Sequence, residues 1–232
     1  MKTIGLIGGS SWRSSIEYYR IINEETERRL GGSNSAKCLM YSMNSAEVDN
    51  MPHDGDWEEI HAFMVDISLG LERGGADFIV ICANTMHKSV PAIEKATGIP
   101  VLHIVDAVAA KIRDKGIEKV GLLGTKYTME EDFYKERFRT KHDIETVIPD
   151  KRGRKFVNVS IYDELVLGKF TNETRKGFVE TIDELSKSGA EGVVLGCTEI
   201  PLLINQSDCD LPLFDTTSIH ALAAVDLALG SI

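Results

Sequence analysis

Short apolar runs alternate with longer amphipathic stretches along the whole chain. The short runs are rich in β-branched residues, as in 78–81 and 192–195, and this pattern is typical of buried strands. The stretches between them carry apolar residues at helical spacing, as in the segment that ends near Gly31. The alternation predicts strand–helix–strand units and a mainly parallel sheet, so the expected fold class is α/β.

Three pairs of strand-like segments recur in the same order at a nearly constant offset. The pairs are 4–9 with 120–125, 75–82 with 189–197, and 99–103 with 211–215. Such a repeat predicts two pseudo-symmetric lobes, each a mainly parallel sheet flanked by helices, with the active site in the cleft between them. We expect a first lobe at 1–103, a second at 104–214, and a C-terminal helix at 215–232 that packs back on the first lobe.

Two of the four cysteines end a strand in corresponding halves of the repeat. Cys82 and Cys197 both fall where parallel α/β sheets bind ligands, beyond the carboxyl ends of the strands. Two thiols that face each other across a cleft suit the inversion of a stereocentre, because one removes a proton as the other delivers one. Helix N-termini are expected to lower the pKa of both thiols. Cys38, in a strand-like run, and Cys209, in a polar loop, are given no role.

Polar residues after the same strands are candidate substrate ligands. The loop after the first strand contains Gly9, Ser10 and Ser11, although a tight strand-to-helix turn would account for it equally well. Its counterpart in the second half presents two hydroxyls and a cation, from Thr125, Lys126 and Thr128. Backbone N–H groups after the cysteines, near the candidate helix caps Asn84 and Thr85, could hold a carboxylate. Glu199 is either a partner of the site beside Thr198 or an acidic residue that the helix dipole explains.

Composition narrows the classes of function. The chain has 232 residues, 43% of them apolar and 27% charged, and a net charge of −10, which indicates an ordinary globular protein. Basic residues form no stripe, so nucleic-acid binding is not expected. No stretch has the length of a signal-peptide core or a membrane span, and we expect a cytoplasmic protein. The cysteines have neither disulfide-framework nor zinc-site spacing, and no lysine context indicates a Schiff base.

The chain resembles the aspartate/glutamate racemase family, especially its branch of aspartate racemases and broad-range amino-acid racemases. The resemblance spans the whole chain and is carried by 4–19, 82–87, 122–128 and 195–202. It implies catalysis by Cys82 and Cys197 without pyridoxal phosphate or metal, on a small amino-acid substrate, in a homodimer. It also implies that Asn84, Thr85 and Thr198 bind the substrate's amino and carboxylate groups, with Thr125 and Thr128 nearby.

The loop after the first strand departs from the family pattern. Ser10 stands where relatives often have methionine, and Arg13 where they have an acid, so the substrate range is open. The cations considered for a side-chain carboxylate are Arg13, Lys126, Lys169 and Arg175, with solvated surface as the alternative. The leading function is racemisation of aspartate or glutamate. The alternatives are a broad-range racemase, a related hydantoin racemase or maleate isomerase, and a non-catalytic amino-acid-binding protein.

The six histidines have weaker signals. His87 is expected either to form a hydrogen bond near the site or to cap and pack a helix. His103 and His220 are expected to be structural. His53, His61 and His142 lie in polar surroundings and are expected to be exposed.

Overall fold

The computed structural model describes residues 1–49, 51 and 57–231, and these form two compact units. Unit 1 comprises Met1–Ile104 with His220–Ile232, and unit 2 comprises Val105–Ile219. The chain thus leaves unit 1 after Ile104 and returns to it at His220. The sequence predicted lobes at 1–103 and 104–214 and a separate segment at 215–232. This division into domains stays a prediction.

Unit 1 is built on a four-stranded parallel sheet of order β2-β1-β3-β4. Its strands are β1 (Ile4–Gly8), β2 (Cys38–Ser42), β3 (Phe78–Ile81) and β4 (Val101–Leu102), and its helices are α1 (Trp12–Leu30), α2 (Ser45–Asp49), α3 (Glu58–Arg73) and α4 (Val90–Ala96). Every residue of β1 and β3 is buried because helices cover the two central strands. Tyr18 and Ile22 of α1 pack on Leu6 and Val80 in one apolar cluster.

Unit 2 has a sheet of the same parallel type, in the order β6-β5-β7-β8. Its strands are β5 (Lys119–Gly124), β6 (Glu145–Val147), β7 (Gly192–Gly196) and β8 (Leu213–Asp215). The helices are α5 (Ile104–Asp114), α6 (Lys126–Glu130), α7 (Asp132–His142), α8 (Lys151–Ser160) and α9 (Asn172–Lys187). In the core of unit 2, Val157 of α8 and Phe178 of α9 pack with Leu123, Val193 and Leu195 of the sheet.

Helix α10 (Thr216–Leu229) begins in unit 2 and continues into unit 1 at His220. Its residues Ala221, Ala224, Val225 and Ala228 belong to the same apolar cluster as β1 and β3. The N–H group of Lys2 donates to the carbonyl of Ala228 at 2.8 Å, which fixes the far end of the helix next to the first strand.

The α/β prediction is confirmed, with two four-stranded parallel sheets flanked by helices. The three repeated segment pairs supply β1 and β5, β3 and β7, and β4 and β8, which hold equivalent places in the two strand orders. The remaining pair, β2 and β6, also corresponds, although its sequences share no signal. Both are edge strands whose residues are partly or fully exposed, so packing in a core does not require similar side chains at these positions.

Two of the histidines predicted to be exposed are not. His142 Nε2 lies 2.7 Å from Asp106, whose carboxylate also accepts two hydrogen bonds from Arg137, and the His142 side chain is only 11% exposed. His61 is half-buried, with Nδ1 2.9 Å from the hydroxyl of Ser89. Polar neighbours in sequence misled the prediction because both rings find their partners on other elements. His53 lies outside the described residues.

No helix among residues 1–49, 51 and 57–231 combines the length and apolar character that crossing a membrane requires.

Candidate active site

Cys82 follows the last residue of β3, in unit 1. Its N–H group donates to the carbonyl of Ile7 at 2.9 Å, which extends the strand pairing with β1 by one residue. Its side chain is 1% exposed. Beyond it the chain turns at Ala83 and Asn84 into a short 3-10 helix, Thr85–Ser89. Asn84 is buried and Thr85 is half-buried, and both lie one turn beyond the thiol.

Cys197 holds the equivalent place after β7, in unit 2. Its side chain is 8% exposed, and the thiol donates to Glu199 Oε2 at 3.1 Å. Thr198 Oγ1 donates to the same oxygen at 2.9 Å, so two donors converge on one carboxylate oxygen. The other oxygen, Glu199 Oε1, is buried and has no hydrogen-bond partner among the described residues. Glu199 is therefore a partner of the thiol, which is one of the two alternatives left open by the sequence.

Burial raises the pKa of both thiols, which opposes the expected effect of a helix N-terminus. The pKa of Cys82 lies far above its ordinary value because the side chain is removed from water, with a smaller contribution from Cys38. Burial is also the main cause for Cys197, followed by repulsion from Glu199. Backbone N–H groups of Glu199 and Ile200 lower the pKa of Cys197, but they are outweighed. The expectation of lowered pKa values is therefore wrong for this structure.

The helical segments after the two cysteines differ in length. Cys197 is followed by one short 3-10 turn, Ile200–Leu202, which builds up little macrodipole, whereas the 3-10 segment after Cys82, Thr85–Ser89, continues into α4. Asn84 makes no side-chain capping bond to the segment Thr85–Ser89.

The loop after β1 lies beside the Cys82 turn because β1 and β3 are neighbours and parallel. Gly9 has a φ of +94°, and an added Cβ would come within 2.1 Å of the carbonyl oxygen of Met43, so only glycine fits there. The N–H group of Gly9 donates to Ser15 Oγ at 2.9 Å. Ser10 and Ser11 are half-buried, and the Ser11 side chain makes no capping bond to α1.

The corresponding loop of unit 2 follows β5 and lies beside Cys197 for the same reason. Thr125 caps α6 by accepting a hydrogen bond from the N–H group of Thr128, and the two hydroxyls are 3.3 Å apart. The backbone N–H of Lys126 donates to Asn158 Oδ1 at 2.7 Å, a contact that nothing in the sequence indicated. Thr216, which the sequence did not indicate as a residue near the site, donates through Oγ1 to the carbonyl of Leu195 and connects α10 to β7.

The four cations differ in their surroundings. The Arg13 guanidinium lies over the Trp12 ring at 4.6 Å, and the Lys126 ammonium lies over the Tyr127 ring at 4.8 Å. Lys169 is exposed, in the loop that follows a π-helical turn at Ile161–Leu165. Arg175 forms an ion pair with Asp208 at 2.9 Å, so its charge is already balanced.

Within the part of the chain that the structure describes, no group of three or more His, Cys, Asp or Glu residues is arranged to hold a metal ion. The four cysteines are free thiols.

Comparison with known proteins identifies the family to which this chain belongs. Residues 7–224 match the model of the Asp/Glu/hydantoin racemase family. This chain belongs to that family. Racemases are isomerases, so the family is one of isomerases.

Three similar proteins illustrate the match. A putative Asp/Glu racemase from Yersinia pestis is 47% identical, with a TM-score of 0.92 over 99% of this chain and 100% of its own. PH1733, described as an aspartate racemase homologue from Pyrococcus horikoshii OT3, is 35% identical, with a TM-score of 0.85 over the same shares of the two chains. The broad specificity amino-acid racemase RacX of Bacillus subtilis is 23% identical over 98% of both chains.

Proposed function

We propose that this protein is a cofactor-independent amino-acid racemase that uses Cys82 and Cys197 as its two acid/base groups. The observation that carries the proposal is their equivalence, because each thiol directly follows the third strand of a parallel sheet of the same order. Beside each thiol lies the loop of the neighbouring strand, with Gly9 and Ser10 in one unit and Thr125 and Thr128 in the other.

In the proposed reaction one cysteine, as thiolate, removes the proton from the α-carbon of the bound amino acid. The resulting carbanion takes a proton from the thiol of the other cysteine, on the opposite face. One S–H bond forms and one breaks, so the enzyme ends with the same number of protons and the two groups have exchanged roles. The proposal requires the two thiols to face one α-carbon from opposite sides.

Because burial raises the pKa of both thiols, one of them must lose its proton before it can act as the base. A bound amino acid provides a reason, since its α-ammonium group brings a positive charge that favours a nearby thiolate. Glu199 keeps Cys197 in the thiol form through the hydrogen bond and its charge. Cys82 has no carboxylate among the causes that raise its pKa. Which thiol acts as the base depends on the enantiomer that is bound, because each thiol serves one face of the α-carbon.

We propose L- and D-aspartate, and also glutamate, as substrates, and a broader amino-acid range as the alternative. Arg13 and Lys126 are our choice for the contact to a side-chain carboxylate, because each follows the first strand of its sheet. Asn84, Thr85 and Thr198 are assigned to the amino and α-carboxylate groups, and Lys169 is a further cation for the side chain. We further propose that the enzyme works as a homodimer in the cytoplasm, where the two thiols stay reduced.

Deuterium exchange at the α-carbon tests the proposal. The protein, without added cofactor, is incubated in deuterium oxide with each enantiomer of aspartate, glutamate and a panel of other amino acids. NMR follows loss of the α-proton and chiral chromatography follows inversion. We expect both from the unmodified protein, and Cys82→Ser and Cys197→Ser should each abolish inversion while retaining exchange with opposite enantiomers. Binding of an amino acid without any exchange would instead favour the non-catalytic binder.

A further inference from the structure

His87 connects the turn after Cys82 to the start of α5. It lies on the 3-10 segment Thr85–Ser89 and is only 2% exposed. Its Nδ1 is 2.8 Å from the carbonyl oxygen of Ala83, and its Nε2 is 3.2 Å from the backbone nitrogen of Ile104. One side chain therefore bridges the residue next to the thiol and the residue that follows β4 and His103.

The partners of His87 fix its protonation state. A backbone N–H can only donate, so Nε2, facing Ile104, must be an unprotonated acceptor. A backbone carbonyl can only accept, so Nδ1 carries the hydrogen and donates it to Ala83. The ring is thus neutral and is the Nδ1–H tautomer. Such an imidazole is suited to holding a peptide in place and not to transferring a proton.

His87 completes a set of hydrogen bonds that hold Cys82 from both directions. On one side, the N–H of Cys82 donates to Ile7. On the other, the carbonyl of the next residue accepts from His87, and the backbone N–H of His87 donates to the carbonyl of Asn84 at 3.1 Å. Without the Nδ1 bond, the peptide between Ala83 and Asn84 loses the partner of its carbonyl. Rotation of this peptide would move Asn84 and the turn that carries the Cys82 thiol.

Packing keeps the His87 ring itself from moving. Its centroid is 4.8 Å from that of His103 and 5.6 Å from that of His220. The His220 ring is held in turn, because Nε2 donates to the carbonyl of Leu102 at 2.8 Å and Nδ1 accepts from the Tyr18 hydroxyl at 2.9 Å. The three rings form a packed histidine cluster beneath the Cys82 turn.

We propose that His87 is a positioning residue for Cys82: its Nδ1–H fixes the Ala83 peptide and so aims the Cys82 thiol at the substrate. This inference rests on the proposed racemase function. It assigns His87 to Cys82, because the ring bonds the carbonyl of Ala83, the residue next to that thiol.

Two amide substitutions separate the two hydrogen bonds of the ring. The amide nitrogen of asparagine occupies the place of Nδ1, so His87→Asn can keep the bond to Ala83 and lose the one to Ile104. The amide of glutamine lies one bond farther out, near Nε2, so His87→Gln can keep the Ile104 bond and lose the one to Ala83. Both variants, His87→Asn and His87→Gln, are combined with Cys197→Ser and, separately, with Cys82→Ser. In the first background Cys82 carries out the exchange, and in the second Cys197 does.

We expect His87→Gln to lower exchange through Cys82 by about 10- to 100-fold, the scale of a displacement of about 1 Å. The loss of exchange through Cys197 in the same variant should be at least about 10-fold smaller. His87→Asn should retain most of the exchange through Cys82. Equal losses through both thiols, or Asn and Gln variants that behave alike, would overturn the proposal. His220→Asn is the matched control, because it disturbs the same cluster and should lower stability without a selective loss through Cys82.

A second measurement does not depend on activity. Nitrogen-15 NMR of histidine-labelled protein, with the His87 signals identified by their loss in His87→Asn, should show a protonated Nδ1 and a bare Nε2. A protonated Nε2 in the unmodified protein would overturn the proposal even if the variants lose activity or fail to fold. If the unmodified protein exchanges no amino acid, the racemase function fails, while the tautomer still decides whether His87 holds the Ala83 peptide.

Discussion

Replacing Glu199 by glutamine should change the pH dependence of one thiol and not of the other. In the structure Glu199 Oε2 accepts the thiol hydrogen of Cys197 at 3.1 Å, and its charge and this bond both raise the pKa of Cys197. Glutamine keeps the shape of the side chain and removes the negative charge. The thiolate of Cys197 should then form at lower pH.

The distance gives the size of the effect. At 3.1 Å, a thiolate and a carboxylate repel each other by about 5 kcal/mol if the effective dielectric constant is about 20. The repulsion is about half as large if the dielectric constant is twice as large, and in either case its removal lowers the pKa of Cys197. Burial still raises the pKa in the variant, so Cys197 moves toward its ordinary value without reaching the range of an exposed thiolate.

The assay is α-proton exchange through Cys197 alone, measured in the Cys82→Ser background as a function of pH. Where thiolate is scarce, exchange rises about tenfold per pH unit. Glu199→Gln should move this rising limb to lower pH, so exchange at a fixed pH on the limb should increase. The same substitution in the Cys197→Ser background is the control and should leave the limb of Cys82 in place. An unchanged limb for Cys197, or one that moves to higher pH, would refute the assigned role of Glu199.

Four further outcomes are expected. Gly9→Ala should lower the free energy of unfolding by about 3 kcal/mol or more, because its Cβ would meet the Met43 backbone. Gly31→Ala, at φ +72° and ψ 177° with open space around it, should cost less, about 1 to 3 kcal/mol of backbone strain, and urea titrations compare the two variants. Burial lowers the pKa of His220 to about 4. The free energy of unfolding should therefore fall by about 3 kcal/mol as the pH falls from about 6.5 toward 4, because the unfolded chain binds the proton first. His220→Phe should make this pH dependence weaker in urea unfolding measured across that range. Cys38→Ser and Cys209→Ser should retain inversion, measured by chiral chromatography; loss of inversion in a folded variant would bring that cysteine into the site. Dialysis against a chelator, or treatment with borohydride to trap a carbonyl cofactor, should leave inversion unchanged in the same assay.

The repeat made much of the architecture predictable. Strands that are buried on both faces have short apolar sequences, so the sequence alone predicted β1, β3, β5 and β7 and a mainly parallel sheet. The edge strand β6 could not, because its three partly exposed residues carry no comparable pattern. Both cysteines could be placed at strand ends, since that position depends only on local sequence.

Tertiary contacts decided the chemistry around those strand ends. The high pKa of each thiol arises from burial, which a linear pattern does not measure, so the sequence-based expectation had the wrong sign. The role of His87 depends on Ile104, and that of Lys126 on Asn158, contacts made only when separate elements pack together. Glu199 lay within two residues of Cys197 and could be suspected from the sequence. That its carboxylate accepts the thiol hydrogen is visible only in the folded turn, which the N–H group of Ile200 closes by donating to the carbonyl of Cys197 at 3.1 Å.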